Sequence, residues 1–419
     1  MSIVVNTVFF CSIIINVFKN YRQAIIAYLI GCLICPVIKI GGIEIGFDII
    51  AFPIICIFFF LREKNIYLKK GIVSFVPYSI VYVLLILLNA LRFDSTISIP
   101  SLYALFRFVF MVYAIGKVFG KELIANVEKV LSVVLFVNTI LSIIQMANLL
   151  PVSFFYDLYY KSSLIPLETQ MQMGYFNRAY GATGSPVLLG GISALTYVFY
   201  LSTYVSPGIS VKKNILKLAG AAICGVLALS KTAILAIPIM TVLILLLIVI
   251  FYGKEIAKPF LKVFSIVCLG LIVCIPLFSW MREKDFAIDW YLKYIFDPMS
   301  ALSTRYDSTD GFLVQTIEII KKHPLIGVGN ASFDGAFVGD SSYVVILYET
   351  GIVGLIVYFI PYLVGLCYSI KTRNVISCSL IVTFLLIAIG GSLHFSNLIV
   401  LFVPLMLWRR DNENNKLTD

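Results

Sequence analysis

TAILAIPIMTVLILLLIVIFY, residues 232–252, runs for twenty-one positions without a charge. As an α-helix it would measure about 30 Å, the thickness of the hydrocarbon core of a bilayer. Working outward from it, similar runs recur in both directions. Thirteen candidate spans fall near 2–18, 23–40, 43–61, 71–91, 98–116, 130–149, 185–205, 214–230, 232–252, 261–280, 351–370, 375–391 and 395–408. The whole chain has the same character: 60% of its 419 residues are apolar, 13% are charged, and the mean hydropathy is +0.99. A soluble domain carries roughly 25% charged residues, so a soluble globular enzyme is excluded. The expected fold class is all-α: a polytopic integral membrane protein with about 12–13 transmembrane helices and two large outer loops.

The net charge of +10 comes from 32 Lys and Arg against 22 Asp and Glu. It does not indicate a nucleic-acid partner, because the cations come in twos and threes between apolar runs and form no basic stripe. They report topology instead. With the N-terminus outside, twenty of the 32 fall in inner loops, among them Lys19, Arg22, Arg62, Lys64, Lys117 and Lys217. Eleven fall outside and Arg107 falls within a span. The expected orientation is therefore N-out and C-in, with the lipid bilayer as the first partner. No cleavable signal peptide is expected, since Lys19 and Arg22 follow the first apolar run and no positive stretch precedes it. All nine cysteines lie in apolar runs, so no disulfide framework is expected, and Cys32-Leu-Ile-Cys35 reads as packing.

These observations divide the chain into N-terminal spans (1–150), a first large outer loop (151–184), central spans (185–280), a second large outer loop (281–339) and C-terminal spans (340–419). Long loops on a compact protein are usually functional, and the polar residues gather in these two. The first loop ends in Tyr175-Phe-Asn-Arg178-Ala-Tyr-Gly-Ala-Thr-Gly184-Ser-Pro186. The planar fork of Arg178 suits a phosphate, and the glycines would let the backbone approach a ligand. The alternative is an interfacial Arg that snorkels to lipid headgroups.

The second loop has three parts. Ser303-Thr-Arg305-Tyr-Asp307-Ser-Thr-Asp310 is dense in polar groups, and Arg305 either binds an anion or pairs with Asp307 or Asp310. An amphipathic helix is expected from about Thr309 to Lys322, closed by Lys321, Lys322 and His323 as the helix dipole favours. His323-Pro-Leu-Ile-Gly-Val-Gly-Asn330 then forms a turn, and Asp340-Ser-Ser-Tyr343 leads through Glu349-Thr-Gly351 into the next span. Asp340 could cap that helix or act as a general base. Arg107, within a span, and Lys231, at the Ser230-Lys231 turn, could each neutralise an anion or snorkel to the interface. Two histidines with no thiolate or carboxylate cluster at ligand spacing argue against a zinc site.

The stretch from Arg305 to Gly354 resembles the signature region of the bacterial O-antigen ligase and polymerase superfamily. Its elements read Arg305, His323-Pro-Leu-Ile-Gly-Val-Gly329, Tyr343 and Glu349-Thr-Gly-Ile-Val-Gly354. Arg178-Ala-Tyr-Gly181 is similar to that family's Arg-x-x-Gly element, and Leu229-Ser-Lys231-Thr232 to its Ser-(Arg/Lys) turn. Where ligases typically carry the His of a His-Asn pair, this chain has Asp340-Ser341, which favours a polymerase.

The resemblance implies a metal-independent membrane glycosyltransferase without a cofactor. Its partners would be polyprenyl-pyrophosphate-linked glycans as donor and acceptor, at the outer face of the cytoplasmic membrane. Whether a chain-length regulator binds is left open. Arg178 and Arg305 would hold the donor pyrophosphate and Asp340 would take the acceptor proton, with Lys231, Arg107 and His323 as further donor-site candidates. A ligase remains as an alternative. A flippase is weighed as a third, but no internal repeat is found and the polar residues do not gather at the midplane.

Overall fold

The computed structural model describes residues 1–40, 43–63, 75–159, 172–206, 215–253, 276, 279, 283, 313–331, 333, 336, 338–339, 341–391 and 393–407. Among them the chain forms fourteen α-helices and one two-stranded hairpin. Helices α1 (Ser2–Lys19) and α2 (Tyr21–Ile34) form a hairpin, with Asn20 capping α2 by accepting from Gln23 N–H. Strands β1 (Ile38–Ile40) and β2 (Ile43–Ile45) follow as an antiparallel pair, with Lys39 opposite Glu44. Then come α3 (Phe47–Arg62), α4 (Phe75–Phe93), α5 (Ile99–Phe119), α6 (Leu123–Met146) and the short α7 (Val152–Tyr159). Gly120, at φ +49°, and a 3-10 turn separate α5 from α6. The second half has α8 (Pro186–Val205), α9 (Ile215–Leu227), α10 (Lys231–Tyr252), α11 (Val314–Lys322), α12 (Ser342–Lys371), α13 (Val375–Ile387) and α14 (Asn397–Met406).

Among the described residues six helical stretches are long and apolar enough to cross a membrane, as in an all-α membrane-embedded protein. One of them, Ile99–Met146, is the α5–α6 pair. The pattern of exposure fits a bilayer. On α10 the exposed side chains include Leu235, Ile239, Val242, Leu246 and Ile250, a stripe at helical spacing with no polar member. On α12 the exposed stripe includes Ile352, Ile356, Ile360 and Leu363. By contrast α8 is buried on nearly every side, and Gly190 and Gly191 in its first turns let neighbours approach closely.

Several expected spans change in detail. Span 23–40 ends as a helix at Ile34, and its tail becomes β1. Span 43–61 begins as β2 before α3 starts at Phe47. The candidate span 261–280 lies outside the described residues apart from two positions.

The bundle has two distinguishable ends. One gathers interhelical ion pairs: Arg22 with Glu122, Lys117 with Glu63 and Lys217 with Glu128. The other holds the hairpin, α7, the 172–184 loop, α11 and the first residues of α8, α10 and α12. It is called the loop end below.

Candidate functional site

Of the six residues singled out in the sequence, Arg305 and Asp340 lie outside the described residues. The surroundings of Asp340 are described. Helix α12 begins at Ser342, and its N-cap Ser341 makes no side-chain capping bond. Both serines instead fasten the helix start to the α13–α14 connection. Ser341 Oγ donates to Ala388 O at 3.1 Å, Ser342 Oγ donates to Gly391 O at 2.8 Å, and Ser342 Oγ accepts from Leu393 N–H at 2.8 Å. That connection also touches α8, since a Cβ on Gly191 would meet Leu393.

Arg178 and Lys231 stand on adjoining segments of the loop end. Ala179 N–H donates to Leu227 O at 2.8 Å, which ties the Arg178 loop to the turn that precedes Lys231. Lys231 is the first residue of α10, and its N-cap Ser230 sits against Gly190 of α8. The N-termini of α8 and α10 therefore adjoin the two cations. Each helix start carries a partial positive charge from unsatisfied N–H groups. Both side chains are half-buried.

One glycine of this loop makes its close approach within the bundle. Gly181 adopts φ +56°, and a Cβ there would overlap the Asn138 side chain. Its close approach is thus to α6. The N–H groups of Tyr180, Gly181 and Ala182 are turned inward onto Gln145 and Asn138.

The two halves of the C-terminal signature meet face to face. Helix α12 breaks at Gly351, at φ +64° and ψ −165°, which frees backbone groups on either side. The turn after α11 takes them up. Val328 N–H donates to Tyr348 O at 2.8 Å and Gly329 N–H to Glu349 O at 2.9 Å. Ile352 N–H donates to Pro324 O at 2.8 Å and Val353 N–H to Leu325 O at 3.1 Å. From α4, Asn89 Nδ2 donates to Ile326 O at 2.8 Å. The Pro-Leu-Ile-Gly-Val-Gly run is thus the complement of a broken helix.

His323 sits beside this junction. Its Nδ1 accepts from Arg92 at 3.2 Å, and its ring meets Phe93 edge-on. Burial, then the Arg92 and Lys322 charges, push the imidazole below its ordinary value. The positive charge at the end of α11 is therefore carried by Lys321 and Lys322. That helix is described from Val314, inside the expected start at Thr309.

Glu349 is a residue the sequence reading used only as a motif letter. Its carboxylate accepts from the Tyr82 hydroxyl at 2.8 Å. Of the carboxylates within the long apolar helices described, Asp48 and Glu128 are ion-paired, whereas Glu349 is hydrogen-bonded by Tyr82. The available signal was its position inside an otherwise uncharged run.

Arg107 is buried, and the structure gives it partners. It pairs with Asp48 at the start of α3, and its Nη2 donates to Phe395 O at 3.1 Å. Phe395 in turn stands edge-on to Tyr82. Arg107 thus joins α3, α5 and the α13–α14 connection. Among the described residues no three His, Cys, Asp or Glu side chains come together at metal-ligand spacing. A scan of the chain against protein-family models finds no match, and a search of curated proteins finds none.

Proposed function

We propose that this chain polymerises polyprenyl-pyrophosphate-linked oligosaccharide units into O-antigen, capsule or another surface polysaccharide. The reaction would take place at the outer face of the cytoplasmic membrane, with the N-terminus outside and the C-terminus in the cytoplasm. One observation supports this reading above the others: Arg178, Lys231 and the N-termini of α8 and α10 adjoin one another at the loop end. Cations and helix starts together suit a diphosphate, and the apolar flanks of the bundle suit a polyprenyl chain. Two half-sites of the resembled signature also meet, in the turn that completes the broken α12.

In this reading Arg178 and Arg305 hold the pyrophosphate and stabilise it as a leaving group. Asp340 takes the acceptor proton as the hydroxyl oxygen attacks the anomeric carbon. Lys231 stands at the donor site, whereas Arg107 is engaged by Asp48 and His323 by Arg92. Glu349, nine residues along from Asp340, is a second candidate for the base. The stripe of polar loop chemistry over a lipid-facing body fits a glycosyltransferase better than a carrier.

Deletion of the gene tests the reading. Loss of a polymerase leaves surface lipid that bears a single repeat unit. Loss of a ligase leaves none and makes the polyprenyl-linked glycan accumulate. An unchanged glycan profile would reject both.

A further inference from the structure

Helix α6 carries amide side chains where an apolar span should not. Asn138 and Gln145, two turns apart on one face, are 1% and 0% exposed. Buried amides in such a helix usually bond a neighbouring helix. These two bond a loop. Gln145 Oε1 accepts from Tyr180 N–H at 2.8 Å and from Gly181 N–H at 2.9 Å, and its Nε2 donates to Gly181 O at 3.2 Å. Asn138 Oδ1 accepts from Ala182 N–H at 2.9 Å, and its Nδ2 donates to Val134 O at 2.8 Å. Just past the helix, Asn148 at φ +50° accepts from Phe176 N–H at 3.1 Å.

Arg178 stands inside this set of clamps. Phe176 is held on one side of it, and Ala179, Tyr180, Gly181 and Ala182 on the other. Between Gly174 and Ser185 the loop has no helix or strand of its own, only the turn in which Thr183 bonds Tyr180 O. Gly181 is the contact that lets the clamp close, because a Cβ there would overlap Asn138.

We propose that Asn138 and Gln145 are positioning residues that set Arg178 for a diphosphate, and so determine the affinity of the site for its lipid-linked donor. The inference rests on the reading of Arg178 as a diphosphate ligand. It adds that the geometry of that contact is dictated from within the bundle, by α6. A guanidinium on a loosely held loop must be ordered when the anion arrives, whereas a clamped one has met that cost already.

The experiment uses the full chain in phospholipid vesicles, with polyprenyl diphosphate as the probe. Its dissociation constant is measured for the wild type, Gln145→Met, Arg178→Ala and the double variant. Thermal unfolding of each is recorded alongside. Gln145→Met should weaken binding about tenfold, the scale of one contact to a charged group. On top of Arg178→Ala it should weaken binding no further, because its effect passes through the arginine. Asn138→Ala and Gly181→Ala, which open the clamp from its two sides, should behave the same way. They keep the test decisive if Gln145→Met does not insert. Wild-type binding in Gln145→Met, or an equal further loss in the Arg178→Ala background, overturns the proposal. A clamp with only a structural role would lower the unfolding temperature in both backgrounds and give such additive losses. If gene deletion leaves the glycan unchanged the functional reading fails, whereas additive losses in a chain that restores the glycan sink this inference alone.

Discussion

Gly327 and Gly351 stand back to back, each at positive φ and each so close to the other's strand of backbone that a Cβ on either would overlap it. On Gly351 the added carbon would strike the Leu325 carbonyl; on Gly327 it would strike the backbone of Tyr348 and Glu349. Gly351→Ala should therefore part the turn from the broken helix and expose the carbonyls the turn now satisfies. Gly120→Ala is the control, because Gly120 also has positive φ but nothing lies within 4 Å of its added carbon. The control should cost about 1–3 kcal/mol, the penalty of the sparsely populated backbone conformation alone. Gly351→Ala should cost clearly more, read as the drop in unfolding temperature of the chain in micelles.

The Arg92–His323 contact makes the junction sensitive to acid. The folded imidazole is held below its ordinary value of 6.5, first by burial and then by Arg92 and Lys322. The unfolded chain thus takes up the proton first as pH falls, and stability rises with pH across that window. The contribution is present above the ordinary value and is lost as pH falls through the lower folded one. Between roughly pH 7.5 and 5 the unfolding temperature should fall in the wild type and fall less in His323→Gln. Parallel slopes would show that another group sets the dependence.

Asp48→Asn should be among the most damaging substitutions outside the loop end. It leaves Arg107 buried with its charge unmet, at a cost of about 3–5 kcal/mol. Arg107→Leu strands Asp48 in the same way. The double variant Asp48→Leu/Arg107→Leu should be more stable than either single one, measured as a double-mutant cycle of unfolding temperatures. Strict additivity would show that the pair is not coupled.

Glu349→Ala should lower polymer formation in a deletion strain by more than tenfold if the carboxylate serves the reaction, with the chain still inserted in normal amount. Tyr82→Phe removes the hydroxyl that donates to it, a loss of roughly 1 kcal/mol, and should leave most activity in place. Full-length polymer from Glu349→Ala would confine the residue to the frame of α12.

Arg305 and Asp340 are tested by function. Arg305→Ala should abolish chain extension in protein that still inserts. Asp340→Asn separates base from cap, because Asn caps a helix about as well as Asp. Full activity in Asp340→Asn would remove Asp340 as the base.

Much of the helical body is legible in the chain, because apolar length and loop charge report it directly. The hairpin at 38–45 is legible too, although a reading by span length passes over it. Ile38-Lys-Ile40 and Ile43-Glu-Ile45 alternate around Gly41-Gly42, which is a strand-turn-strand pattern. A twenty-residue hydropathy window averages that alternation away. The pairing of Arg107 with Asp48, 59 positions apart, could not be read, since only packing brings α3 to α5. Nor could the roles of Asn138 and Gln145. Amides scattered in an apolar run look like noise until the loop they hold is seen. The signature glycines were visible as letters, but their reason, a helix break closed by a separate turn, is a fact of tertiary structure.

The Asp48–Arg107 pair has a consequence for biogenesis. A charge alone at the centre of a helix enters lipid at a cost of about 2.5–3.5 kcal/mol by insertion scales, and Asp48, in the first turn of α3, bears a smaller part of it. α3 emerges from the ribosome well before α5, so its carboxylate waits for a counter-charge that has not yet been synthesised. Helix α3 would therefore gain from staying beside the insertion machinery until α5 arrives, and α4, which lies between them in the chain, would enter with them.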